Sequence, residues 1–213
     1  SIVRGTVDKE YGIIGIPMQA AINAAHKNGV LAIAEYFIPR PSQYTEEWLY
    51  KDENGEFPYA KKMVEIANYF GFDGYFINQE ESIDSKYVPL MKEAIQYLRS
   101  EGLYIQWYDS ITESGMVSYQ NAFNSTNSGW ILSNDQRVAD SIFLNYWYSS
   151  SALKNSKALA EQLGLDPYEV VFMGVEGGQW GFGTNIETRY NCVDENGQPY
   201  TSFAIWGSDF YHV

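Results

Sequence analysis

Short apolar runs alternate with amphipathic segments along most of the chain. Residues 30–38 (VLAIAEYFI), 72–78 (FDGYFIN), 103–109 (LYIQWYD), 141–148 (SIFLNYWY), 169–176 (EVVFMGVE) and 202–210 (SFAIWGSDF) read as six strands, and 1–7 (SIVRGTV) as a seventh. Their apolar residues run on rather than alternate, as they do in strands covered on both faces. The stretches between them carry helical spacing. Residues 17–28 open with Pro17 and stop before Gly29. Residues 58–71 set Met63, Ile66, Ala67 and Phe70 on one face and stop at Gly71, while 85–102 and 150–164 repeat the pattern. A short helix is expected over 135–140, a long surface loop with one helical turn over 39–57, and a Gly-rich loop over 177–185.

Strands alternating with helices give a sheet that is mostly parallel, either open and doubly wound or closed as a (β/α)8 TIM-type barrel. Three features favour the barrel. No glycine-rich phosphate loop follows an early strand, the loops after strands are long and polar, and the strand ends carry polar or aromatic groups. A barrel builds its site at those ends. At 213 residues the chain is short against roughly 250 for such a barrel. The expectation is therefore a single partial barrel over 1–213, lacking its first one or two strands and its last helix. Because it begins at Ser1 rather than Met, the chain reads as a processed or excised piece; it is expected to be part of a larger multidomain protein.

Charge and composition narrow the ligand. Twenty-seven acidic residues against 14 basic ones leave a net charge of -13, which disfavours nucleic acid and anionic membrane surfaces. No apolar run approaches the roughly 18 residues of a membrane span, so no membrane insertion is expected of this segment. Eighteen Tyr, 11 Phe and 6 Trp suit an uncharged ring such as a sugar. Cys192 stands alone and the two histidines, His26 and His212, are far apart, which gives no support to a catalytic zinc or a Cys–His pair. The 27 acids leave calcium open but form no EF-hand loop, and no cofactor is expected. His26 is expected to face solvent.

The densest chemistry lies in FDGYFINQE (72–80). Residues two apart in a strand share a face, so Phe76, Asn78 and Glu80 point together. Most glycosidases need two carboxylates; an enzyme acting on an N-acetylhexosamine can instead use the substrate's own acetamido oxygen as nucleophile. It then needs one acid, for which Glu80 is the candidate, and one group to orient the acetamide, for which Asn78 is. Against this, carboxylates just after strands are often helix caps or solvated.

FDGYFINQE, followed by QWYDSITESGMVSYQNAFN (106–124), resembles the catalytic domain of glycoside hydrolase family 85, the endo-β-N-acetylglucosaminidases of N-linked glycans. The resemblance runs from 15–17 (GIP) to 206–210 (WGSDF). The strand also resembles the DGxDxDxE motif of family 18 chitinases: Asp73, Gly74 and Glu80 match, but Phe76 and Asn78 stand where that motif has its second and third Asp. The resemblance implies Glu80 as general acid/base, Asn78 as the residue holding the acetamide (as an imidic acid), and Tyr108 as a contact to the acetamido group. Tyr119, where relatives often carry Trp, and Trp147 fall at acceptor-side positions. Asp109 reads equally as a mannose-hydroxyl ligand or a loop cap. Asn121 and Glu176 are candidates for sugar hydroxyls, Trp180 for a stacking platform, and Glu35 and Trp206 for the pocket floor.

The implied activity is cleavage of the GlcNAc-β1,4-GlcNAc bond of N-glycan cores on glycoproteins or glycopeptides. It would proceed with retention through an oxazoline, with transglycosylation as a further outcome. Rival readings are a family-18-like chitinase or endoglycosidase and a non-catalytic carbohydrate-binding barrel. The expected setting is the exterior or cell surface of a bacterium, with the cytoplasm as the alternative.

Overall fold

A computed structural model describes residues 2–3, 13–38, 45–177 and 192–207. In chain order the elements are β1 (Ile2–Val3), β2 (Ile13–Gly15), α1 (Gln19–Lys27), β3 (Ile33–Ile38), α2 (Thr45–Trp48), α3 (Pro58–Phe70), β4 (Gly74–Gln79), α4 (Val88–Ser100), β5 (Tyr104–Tyr108), β6 (Leu132–Ser133), β7 (Gln136–Arg137), β8 (Ser141–Leu144), α5 (Ser150–Gln162), α6 (Pro167–Val170), β9 (Val171–Glu176) and β10 (Ser202–Trp206). Local chemistry sets the helix ends. α3 has proline in its first turn and stops at Gly71, whose φ of 77° suits glycine. The Ser149 hydroxyl accepts from Ala152 N at the start of α5, and the Asp166 carboxylate accepts from Tyr168 N at the start of α6.

Eight strands form one sheet in the order β1-β2-β3-β4-β5-β8-β9-β10. From β3 onward every pairing is parallel, while β2 runs antiparallel to both β1 and β3. The strand order follows the chain without reversal, which a doubly wound sheet does not do. The sheet also curls. The rings of Phe76 on β4 and Trp206 on β10 lie 5.7 Å apart between centroids, although three strands separate their own in the sheet. The result is a half-barrel of mixed α/β type.

Strand alternation divides the apolar residues into two cores. On the convex face Ala34, Tyr36, Ile38, Tyr75, Ile77, Ile105, Trp107, Ile142 and Leu144 are buried with Met63, Ala67, Met91, Ile95, Leu98 and Leu153 of the covering helices. On the concave face Phe76, Tyr108 and Phe143 form a separate small cluster, flanked by Ile33, Tyr146, Ala204 and Trp206. Two glycines are required by close approach. A Cβ on Gly74 would sit 1.9 Å from the Tyr104 carbonyl oxygen, and one on Gly174 would sit 2.4 Å from the Leu144 carbonyl oxygen and 2.5 Å from the Phe143 ring.

Several expectations change. Residues 135–140 hold no helix: β6 and β7 form a hairpin turned by Asn134 and Asp135, both with positive φ as a two-residue turn demands. The strand expected over 141–148 ends at Leu144, and that over 169–176 begins at Val171, because Asp166-Pro167 starts a helical turn first. The antiparallel β2 had no counterpart in the apolar pattern. His26 is exposed as expected, yet its Nε2 lies 2.8 Å from Asp73 Oδ2, which also accepts from Ala32 N. Trp180, Asp209 and His212 lie outside the described residues.

Candidate active site

The concave face carries a cleft of about 210 Å³ lined by Phe76, Asn78, Glu80, Tyr108, Tyr146, Glu176 and Trp206. Phe76 and Asn78 are inward positions of β4, and Glu80 follows that strand directly. Tyr108 ends β5, Glu176 ends β9 and Trp206 ends β10. Apart from Phe76, which lies mid-strand, these residues sit at, just before or just after the carboxyl ends of parallel strands, where barrel-type enzymes bind ligands.

Asn78 is buried, and its Nδ2 donates to Glu35 Oε1 on β3 across 2.8 Å. A carboxylate only accepts, so this contact fixes which end of the amide faces β3. The Asn78 Oδ1 has no hydrogen-bond partner, an uncommon condition for a buried carbonyl. Burial raises the Glu35 carboxyl above its ordinary range; the Asn78 hydrogen bond opposes this and the Glu80 charge adds to it. Glu35 shares the concave face with its register partner Phe76 and stands half-buried beside Asn78; it is not among the residues that line the cleft, where the expectation had put it on the floor.

Glu80 is half-buried and accepts from the Tyr119 phenol, at 3.0 Å, from the long loop after β5. Tyr108 donates to Asn145 Oδ1 across 3.0 Å, and its ring contacts Phe76, Phe143 and Tyr119. Burial keeps the Tyr108 and Tyr146 phenols protonated far above the usual range; nearby Tyr146 and Glu80 act on the first, Glu176 and Glu80 on the second.

The loop itself is held by Asp109, which is 1% exposed. Its carboxylate accepts from Asn127 Nδ2 at 2.9 Å, Gln120 N at 3.2 Å, Asn121 N at 2.7 Å and Asn145 N at 3.4 Å. Of the two readings of Asp109, the structure supports the loop anchor: no face of it is open to a sugar. Asn121, with a φ of 52°, is similarly engaged. Its Oδ1 accepts from Asn145 Nδ2 and Trp147 N, and its Nδ2 donates to Tyr119 O. Trp147 stands 67% exposed outside the cleft lining.

Thus Glu80, Asn78, Tyr108, Glu176 and Trp206 are brought together, with Tyr119 at the rim. Glu35 holds Asn78 from the neighbouring strand, Asp109 and Asn121 hold the loop that carries Tyr119, and Trp147 stands apart. Tyr146 and Asn145 were missed; both follow the end of β8, where strand alternation no longer predicts direction. No cluster of metal-ligating side chains occurs among the described residues, and no helix among them is long and apolar enough to cross a membrane.

The profile of Glycosyl hydrolase family 85 matches residues 9–212. Cytosolic endo-beta-N-acetylglucosaminidase 2 of Arabidopsis thaliana is 28% identical over 186 residues, covering 80% of this chain and 25% of that protein. The cytosolic endo-beta-N-acetylglucosaminidase of Gallus gallus is 27% identical over 199 residues, covering 90% and 27%. The glycoside hydrolase domain of Endo-D from Streptococcus pneumoniae R6 superposes with a TM-score of 0.71 at 28% identity, covering 79% of this chain and 28% of that one. The chain thus spans about a quarter of the length of these relatives. The plant and avian proteins are cytosolic by name, which overturns the expected extracellular or bacterial cell-surface setting.

Proposed function

This chain belongs to glycosyl hydrolase family 85, and from that premise we propose that it carries the reaction centre of an endo-β-N-acetylglucosaminidase acting on the GlcNAc-β1,4-GlcNAc bond of N-glycan cores. The observation that carries the reading is the cleft in which Asn78, Glu80 and Tyr108 converge over an aromatic floor. Residues 1–213 are read as part of one catalytic barrel of the (β/α)8 type within a longer protein, and a cytosolic setting is the one its curated relatives suggest.

In this mechanism the acetamide of the sugar lies against Asn78, whose unpartnered Oδ1 takes up the acetamide N–H. The acetamide oxygen attacks the anomeric carbon while Glu80 protonates the leaving O4, giving an oxazolinium ion that becomes the neutral oxazoline when its N–H proton leaves toward Asn78. Tyr108 turns its O–H from Asn145 toward the acetamide oxygen, a move that gives up one 3.0 Å bond. Glu80, now ionised, takes a proton from water or from a sugar hydroxyl, which opens the oxazoline with retention; the second outcome is transglycosylation. Phe76 and Trp206 supply apolar surface for the sugar ring. Asn78 at the position of a family 18 aspartate places an amide where a chitinase has an acid. No metal or organic cofactor enters the scheme.

The test is mass spectrometry of core-trimmed and high-mannose glycopeptides incubated with the protein at its natural length. A product retaining one GlcNAc on Asn is expected, lost in Glu80→Gln by about 10²–10⁴-fold. Release of chitin-type oligomers alone, or binding without product, refutes the reading.

A further inference from the structure

Beside Asn78 of the cleft lining stands Glu35, a carboxyl that the scheme above leaves unused. The two come from adjacent parallel strands, 43 residues apart in sequence, and meet at 2.8 Å through the Asn78 Nδ2. No cation among the described residues pairs with Glu35. The charged or titratable groups acting near it are Glu80 at the end of β4, Tyr146 after β8 and, beyond that phenol, Glu176. A carboxylate facing one end of an amide, with the other end buried and unpartnered, is an arrangement that moves charge. Negative charge at the Nδ2 end draws out an N–H proton and makes Oδ1 a stronger acceptor.

Resting on the assisted mechanism, we propose that Glu35 is a positioning residue that receives, through Asn78, the proton released when the oxazoline forms. As the acetamide oxygen bonds to the anomeric carbon, the C–O bond to O4 breaks and O4 takes the Glu80 proton. The acetamide nitrogen then carries an acidic iminium N–H. That proton passes to Asn78 Oδ1 while one Nδ2 proton passes to a Glu35 oxygen. The products are a neutral oxazoline, Asn78 as its imidic acid and a neutral Glu35 carboxyl, so one positive and one negative charge cancel. Opening of the oxazoline runs the transfer backwards. Partial burial and the neighbouring Glu80 charge both raise the affinity of Glu35 for that proton.

Glu35→Gln separates charge from shape, because Gln keeps an oxygen that accepts from Asn78 Nδ2. The probes are an aryl glycoside of a mannose-extended GlcNAc, whose leaving group needs no acid, and a preformed sugar oxazoline. For Glu35→Gln in the natural-length protein, kcat on the aryl substrate should fall about 10²-fold, with KM little changed and a much smaller loss on the oxazoline. The acid limb of the wild-type pH profile, where Glu35 becomes protonated, should disappear. Wild-type kcat, or an acid limb kept in Glu35→Gln, overturns the relay. If Glu35→Gln fails to fold, Glu35→Ala with added formate decides: partial rescue supports the relay and no rescue overturns it. Asn78→Ala and Glu80→Gln are run in parallel on glycopeptide. Unchanged cleavage in both refutes the underlying mechanism, whereas loss in both with a silent Glu35→Gln refutes only the relay.

Discussion

The phenol of Tyr119 donates to Glu80 Oε2 across 3.0 Å, joining residues 39 apart in the chain. Glu80 needs a defined rotamer to reach a leaving oxygen, and this bond supplies one from the loop after the neighbouring strand β5. Tyr119→Phe removes the bond and keeps the ring against Tyr108. A single neutral hydrogen bond is worth about 1 kcal/mol. The expected outcome is thus a roughly fivefold fall in kcat on glycopeptide with KM held. Equal kcat for the two proteins shows that the bond does not serve the reaction.

Asp109 ties the loop that carries Tyr119 to β5 and β8. Burial lifts its carboxyl from the ordinary 3.8 to about 7, with four N–H donors opposing the shift. The folded chain therefore holds this proton more tightly than the unfolded chain. The contribution of Asp109 to stability is largest below about pH 4 and is lost as pH rises through about 7. Urea unfolding at pH 5 and 7.5 should differ by about 2 kcal/mol from this group alone, and Asp109→Asn should shrink the difference. An identical pH dependence in the variant counts against the assignment.

Gly74 and Gly174 have no room for a methyl group. Gly74→Ala drives a Cβ into the Tyr104 backbone and should separate β4 from β5. Gly174→Ala meets the Leu144 backbone and the softer Phe143 ring. Overpacking of this kind costs about 1–3 kcal/mol, more where backbone must move. Thermal unfolding should rank wild type above Gly174→Ala above Gly74→Ala; the reverse order of the two variants contradicts the geometry.

Trp147 stands largely exposed, and its backbone N–H is held by Asn121. If it serves the acceptor, Trp147→Ala lowers transfer to a sugar acceptor relative to hydrolysis, while stability stays within about 0.5 kcal/mol. An unchanged ratio of transfer to hydrolysis removes Trp147 from the site.

The strands and their facing were legible because apolar runs and strand alternation are local properties, and they put Phe76 and Asn78 on one face with Glu80 just beyond. What escaped was set by geometry that no local pattern contains. Asn134-Asp135 turns a hairpin inside a polar stretch that resembles a short helix. Tyr146 enters the cleft because β8 stops at Leu144 and the chain bends, so strand alternation gives no direction there; Trp147 is singled out by the family resemblance alone. Glu35 appeared as a pocket floor, since a contact with Asn78 depends on the register of two strands. Asp109 was balanced between sugar ligand and loop cap until its four donors could be counted.

The two apolar cores have separate duties. Most of the buried aliphatic surface lies between sheet and helices, whereas Phe76, Tyr108 and Phe143 sit apart on the concave side. A substitution within that inner trio reshapes the bed on which a ligand rests and leaves the helix-side packing intact. Descendants of such a chain can drift in what they recognise long before they lose the ability to fold.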